Sequence, residues 1–273
     1  MPSSPSLPAT TAPTRAVAAS LESPYWVLRV TAALCFIGHG AFGFMTKAAW
    51  VPYFGVVGIP EAWAWTLMPW VGAVDVTVGM MVLFAPRRLA LGYMALWGLW
   101  TALLRPLSGE PFFETFERAG NYGVPFALLL LVGATVERPG WFAPVLPQRV
   151  DPSRTVVVQR VLQWSTVLLL AGHGALGVVT GKVILAQHYA SVGLPDVTLA
   201  VGWLELALAA LIAVRPFVPL LLFACAWKVA TELLFLTAGA PVWEFVERAG
   251  SYGAPLALAL LLLVDRDRRV PRG

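Results

Sequence analysis

Two histidines stand in the same setting, Gly38-His39-Gly40-Ala41 and Gly172-His173-Gly174-Ala175. A glycine-flanked histidine in an apolar stretch supports three chemistries. It can be a buried hydrogen-bonding group, with Glu117 and Glu247 as expected partners. It can be one of two axial ligands to a haem, one from each half of the chain. It can handle protons beside a quinone. Metal binding by histidine with glutamate has no support from spacing, because no His-Glu-x-x-His pattern occurs. The second motif is charged. Glu114-Thr-Phe-Glu117-Arg118-Ala-Gly120-Asn-Tyr122-Gly123-Val-Pro125 returns 130 residues later as Glu244-Phe-Val-Glu247-Arg248-Ala-Gly250-Ser-Tyr252-Gly253-Ala-Pro255. Each copy runs directly into an uncharged apolar segment.

These residues need elements to hold them, and composition says which kind. The chain is 58% hydrophobic and 12% charged, about half the charge content of a soluble domain. Segments 124–136, 161–179 and 199–214 have too little polar surface to face water, so the chain reads as an integral membrane protein whose first partner is the lipid bilayer. The net charge of +4 gives no argument for a nucleic-acid partner, since the basic residues cluster at span ends where lipid headgroups account for them. Cys35 and Cys225 lie far apart in apolar segments without a Cys-x-x-Cys motif, which predicts buried thiols and no disulfide framework.

Length places the charged motif inside the membrane. Residues 124–136 make about 20 Å of helix at 1.5 Å per residue, against a hydrocarbon core of about 30 Å. The fourth span of each half crosses only if its helix starts near Glu114 or Glu244. That draws Glu117, Arg118 and Tyr122, with Glu247, Arg248 and Tyr252, into the outer membrane layer or the protein interior. Glu114 and Arg118 are four apart and can pair on one helix face. Glu117 has no obvious local partner and calls for Lys47, Lys182 or a histidine, because an ionisable group in the membrane costs at least ~2.5–3.5 kcal/mol. The outcome is either an ion-pair and tyrosine lock between helices or a ligand, ion or cofactor site.

Earlier landmarks repeat in the same order. Lys182 answers Lys47, Val192-Gly193-Leu194-Pro195 answers Val57-Gly58-Ile59-Pro60, Glu205 answers Asp75, and Trp227 and Thr231 answer Trp97 and Thr101. This predicts an all-α integral membrane protein of eight transmembrane helices, arranged as two parallel four-helix repeats. In the first repeat the spans are expected near 25–45, 62–84, 89–104 and 114–136. Residues 1–24 read as a disordered cytoplasmic tail, 25–138 as the first repeat, 139–158 as a cytoplasmic linker with Pro139, Pro144, Pro147 and Pro152, 159–265 as the second repeat, and 266–273 as a basic cytoplasmic tail. Arginines crowd the side holding Arg87, Arg88, Arg138 and Arg149, whereas Lys47, Arg105, Arg118, Lys182 and Arg248 mark the other. That bias puts both termini in the cytoplasm of a bacterial-type inner membrane. Asp75 and Glu205 read as helix-packing groups, the Lys228/Glu232 and Arg105/Glu110 pairs as points where the halves diverged, and the twelve tryptophans largely as an interfacial belt.

One repeat resembles the DoxX-like family of four-helix membrane proteins. The resemblance rests on the glycine-rich first span ending in lysine (Gly38 to Lys47; Gly172 to Lys182), the aromatic-x-x-x-Gly-Ile/Leu-Pro connector, and the second-span acid at Asp75 and Glu205. It implies membrane redox chemistry, as in a thiosulfate:quinone oxidoreductase subunit, and other membrane or extracytoplasmic redox subunits as partners. This chain departs from the family in its duplication and in Asp75 for the more usual glutamate. The leading expectation is a redox-associated subunit that binds a quinone or haem b between helices near the extracytoplasmic face. His39 and His173 would be ligands or proton donors, haem being the case in which they bind metal. Glu117, Arg118, Tyr122, Lys47 and their counterparts Glu247, Arg248, Tyr252 and Lys182 would line or orient the site. The alternative is a non-enzymatic lipid- or isoprenoid-binding protein or scaffold with a purely structural polar network.

Overall fold

The computed structural model describes residues 12–132, 140–145 and 154–269. Among them the regular structure is helical, and five helices are long and apolar enough to cross a membrane: Leu21–Phe44, Glu61–Phe84, Thr155–Val178, Val218–Thr237 and Val242–Arg266. In chain order the elements are α1 (Ala12–Phe44), α2 (Val51–Val56), α3 (Glu61–Phe84), α4 (Arg88–Leu107), α5 (Phe113–Glu117) and α6 (Ala119–Leu131). They are followed by α7 (Thr155–Val178), α8 (Val183–Ala190), α9 (Thr198–Val214), α10 (Val218–Thr237), α11 (Val242–Glu247) and α12 (Ala249–Arg269). The outer helices carry exposed apolar side chains, among them Trp70, Phe84, Leu96 and Val214, as suits a membrane protein that interacts with lipid.

The central helices are α1, α6, α7 and α12, which pack on one another, while α3 lies on α1, α4 on α6, α9 on α7 and α10 on α12. The short charged helices exchange sides: α5 packs against α7 and α11 against α1. The glycines around each histidine make this possible. A Cβ at Gly40 would lie 2.6 Å from the Gly72 carbonyl oxygen of α3, and one at Gly38 would lie 2.4 Å from the Glu247 nitrogen of α11. Gly174 and Gly172 meet Gly202 and Glu117 in the same way, at 2.7 and 2.3 Å. Both small faces of the Gly-His-Gly motif are therefore filled by neighbouring backbone, the usual membrane packing device, and neither is left as a slot for a flat ligand.

Several boundaries differ from expectation for identifiable reasons. Residues 12–24, expected as part of a disordered tail, are helical, because Ala16 to Leu21 is a good helix-forming run and Leu21 and Tyr25 are buried. Residues 1–11 of the expected tail, 133–138 of the first repeat, 139 and 146–153 of the linker and 270–273 of the basic tail lie outside the described residues. Residues 155–158 of the expected linker open α7, and 266–269 of the expected tail extend α12. At 140–145 the linker folds back: the Val145 N–H donates to the Pro86 carbonyl and the Tyr25 hydroxyl to the Val145 carbonyl, at 2.9 and 3.2 Å. The fourth helical stretch is not continuous but breaks at Arg118 (φ −93°, ψ 14°), as its counterpart does at Arg248.

Basic and polar residues low in α1 and α7 also acquire a reason. Arg29 donates to the Val82 and Leu83 carbonyls at 2.9 and 2.6 Å, and Gln163 to the Ile212 and Ala213 carbonyls at 2.8 and 3.1 Å. Each caps the orphan carbonyls at the end of the helix beside it.

Candidate functional site

The helix break at Arg118 gathers the charged motif into one buried network. Arg118 binds Glu117 in a short contact and Glu114 at 3.1 Å. Arg248 reaches across from the second half to Glu117 at 3.1 Å and also approaches Glu244 and Glu232 at 3.4 and 3.5 Å. The lysines cross in both directions. Lys47 binds Glu244 at 2.6 Å, and Lys182 binds Glu114 in a short contact. Glu117 thus finds two arginines rather than the lysine or histidine expected for it. The lysines instead take the first glutamate of the opposite copy, where the short helix α5 or α11 turns its first turn toward them. Tyr122 and Tyr252 donate to the Thr115 and Phe245 carbonyls at 3.3 and 3.2 Å. They bridge the two breaks.

The histidines also find other partners than expected. His39 Nδ1 lies 2.8 Å from Asp75 Oδ2, and His173 Nδ1 makes a short contact with Glu205. The reason is the close α1–α3 and α7–α9 crossings, which bring the second-span acid beside the ring, while Glu117 and Glu247 meet the adjacent glycine through their backbone. Asp75 and Glu205 are hence more than packing groups. Each carboxylate holds its histidine in the tautomer with the proton on Nδ1. The recurring acid was legible in the sequence, but its pairing with the histidine depends on a crossing that sequence spacing does not specify.

A cavity of about 500 Å³ opens beside His39, within the ~300–1,000 Å³ usual for small-molecule sites. Its apolar wall includes Trp50, Tyr53, Trp70, Tyr93, Trp97 and Trp100, and its polar end is made by His39, Arg105, Arg118, Asn121 and Glu247. The His39 ring stacks on Trp50 with centroids 4.4 Å apart. Trp70 is 70% exposed, and Val74 and Trp100 are also exposed, so the cavity opens between α3 and α4 onto exposed apolar surface. Four of the twelve tryptophans line this wall. His173, Lys47, Lys182, Glu117 and Arg248 are not on it.

Outside the spans, Tyr53 of α2 donates to Glu110 in a short contact, and Arg105 binds the same carboxylate at 3.0 Å. Burial would raise the Glu110 carboxyl, but Arg105 and the Tyr53 hydroxyl outweigh it and hold the group below its ordinary value. In the second half Phe235 and Ala240 replace Arg105 and Glu110, and the matching connector carries His188, whose ring lies 4.1 Å from Phe235. Burial first, then the charge of Arg248, pushes His188 down to about 4, so it is neutral at physiological pH.

Among the described residues, no cluster of three or more His, Cys, Asp or Glu side chains is arranged to hold a metal ion. Comparison with protein-family models, curated proteins and solved structures found no match to this chain.

Proposed function

We propose that this protein is an eight-span inner-membrane subunit of the DoxX-like type, with both termini cytoplasmic and two parallel four-helix repeats, that binds an isoprenoid quinone-class lipid in the first-half cavity. The observation that carries this reading is the joining of three features in one cavity: a tryptophan- and tyrosine-rich wall, an opening onto exposed apolar surface, and a polar end at His39, whose ring is held from behind by Asp75. A ring-headed lipid enters sideways from the bilayer, stacks its head on aromatic rings and leaves its tail among the exposed side chains of α3 and α4. Such a group, when bound, supplies two-electron, two-proton redox chemistry. The protein supplies orientation, exclusion of water, and at His39 Nε2 a site for a proton, with Nδ1–H held on Asp75. A redox protein at the extracytoplasmic face is the partner that exchanges electrons with it.

Haem b fits less well. Axial ligation by both histidines needs them to share one cavity, and the cavity at His39 does not include His173. A second reading, a scaffold or lipid carrier with a structural polar network, is favoured by the three crossing ion pairs Lys47–Glu244, Lys182–Glu114 and Arg248–Glu117.

Titration of the purified protein with decyl-benzoquinone, followed by tryptophan fluorescence, tests the proposal. Saturable quenching that is lost in Val71→Phe/Thr101→Phe, which fills the cavity from α3 and α4, is expected. Linear quenching, equal in both proteins, would sink it.

A further inference from the structure

The two halves differ in how their buried acids are satisfied. In the second half, Glu205 takes His173, accepts from Trp227 Nε1 at 3.0 Å, and has Lys228 Nζ 3.6 Å away. In the first half Gly98 stands where Lys228 stands in the second. Asp75, one methylene shorter than Glu205, holds His39 but leaves Oδ1 buried without a partner, and Trp97 Nε1 is likewise unpartnered. The paired glutamates show the same asymmetry. Glu117 receives both Arg118 and Arg248, whereas no hydrogen-bond or ion-pair partner among the described residues reaches Glu247. Glu247 is 3% exposed, its Oε2 is unpartnered, and it lines the cavity. Lys47, Arg248, His39 and Arg118 act on its charge from a distance, without a direct bond.

The cavity's polar end is consequently rich in unused acceptors. With Nδ1–H donated to Asp75, the neutral His39 ring presents a lone pair at Nε2. Glu247 presents carboxylate oxygens. The guanidinium groups that reach the wall are tied to carboxylates through Nη1, Arg105 to Glu110 and Glu114, and Arg118 to Glu114 and Glu117. Among the fully buried donor atoms of the residues lining the cavity, the Trp97 indole N–H has no protein acceptor. A quinone carbonyl only accepts hydrogen bonds and would leave His39 and Glu247 desolvated and unmatched, a costly arrangement. A ring hydroxyl donates to such acceptors and still has lone pairs for an indole N–H.

We infer that the cavity selects the hydroxyl-bearing, reduced form of its ligand, a hydroquinone ring, through acceptors on His39 and on Glu247, the latter contributed by the second half of the chain. This rests on the quinone-class reading above. It makes the chain a single-site protein at this cavity, with the second half completing the first half's site. The acceptors that need a ligand's donors in the first half correspond to groups that the second half satisfies internally with Lys228, Trp227 and two arginines.

Three probes separate the possibilities: decyl-benzohydroquinone under anaerobic reducing conditions, its oxidised quinone, and its dimethyl ether, which keeps the reduced ring but has no hydroxyl to donate. The hydroquinone is expected to bind at least about tenfold more tightly than either of the others, since hydrogen bonds to a charged acceptor dominate the difference. Glu247→Gln keeps the shape, replaces one acceptor oxygen by a donor, and should reduce that preference to within about threefold by weakening the hydroquinone. His39→Phe removes the other acceptor and serves as a second variant if Glu247→Gln does not fold; it should likewise reduce the preference for the hydroquinone to within about threefold. Equal binding of all three probes overturns this inference and leaves the quinone-class site standing. Binding of none overturns both, and full preference retained in Glu247→Gln removes Glu247 from the account.

Discussion

Replacing Glu117 by glutamine should destabilise the protein strongly, through the arginines left behind. Glu117 is buried and is the carboxylate at which Arg118 of its own half and Arg248 of the other half meet. Removing one member of a buried ionic cluster costs ~3–5 kcal/mol, mostly because its partners stay buried without compensation. Here neither arginine is fully orphaned, since Arg118 keeps Glu114 at 3.1 Å and Arg248 keeps Glu244 and Glu232 at 3.4 and 3.5 Å. The low end of that range, about 3 kcal/mol, is therefore expected. At ~2–4 °C per kcal/mol for a chain of this order, the midpoint should fall by roughly 6–12 °C. The assay is thermal unfolding of detergent-purified protein, with Glu110→Gln as control. Glu110 is one-third exposed, so its pair with Arg105 is worth at most ~1 kcal/mol. A Glu117→Gln midpoint within about 2 °C of the wild type would refute the buried network as a lock between the halves. An equal loss in the control would do so as well.

Two further predictions use the differences between the halves. Lys228→Ala leaves Glu232 and Glu205 short of a buried cation and should cost about 3 kcal/mol; Lys228→Gly/Glu232→Ala, which copies Gly98 and Ala102, should unfold at a higher temperature than the single variant. If the double variant is the less stable, the ion pair does more than satisfy itself. At Glu110 the folded-state carboxyl is held below its ordinary value of 4.5 by Arg105 and Tyr53 against the effect of burial. Its contribution is thus present above pH 4.5 and lost as pH falls below it. The midpoint gap between wild type and Glu110→Gln should shrink as pH is lowered from 6 to 3; a gap that widens contradicts the sign.

The sequence exposed the membrane character and the recurring landmarks because both rest on local properties: apolar length, glycine spacing and residue order. It also placed Glu117, Arg118, Glu247 and Arg248 inside, since 13 apolar residues are too few to cross a bilayer. What stayed hidden depends on helix crossings. Nothing in the spacing says that α5 packs on α7 and α11 on α1, and only that exchange sends Lys47 to Glu244 and Arg248 to Glu117. Nor does it say that His39 meets Asp75, because 36 residues of chain separate two side chains that a glycine contact brings together. The aromatic wall was hidden for a related reason. A tryptophan beside a cavity and a tryptophan at the headgroups look alike in a linear sequence.

The most direct test of the quinone-class site is a mass-spectrometric inventory of lipids extracted from the protein after purification from its native membrane. The expected result is about one prenylated quinone-class molecule per chain in the wild type. In Val71→Phe/Thr101→Phe of unchanged thermal midpoint, that content should fall at least tenfold. Equal amounts in both proteins, at the level of bulk lipid carry-over, would contradict it.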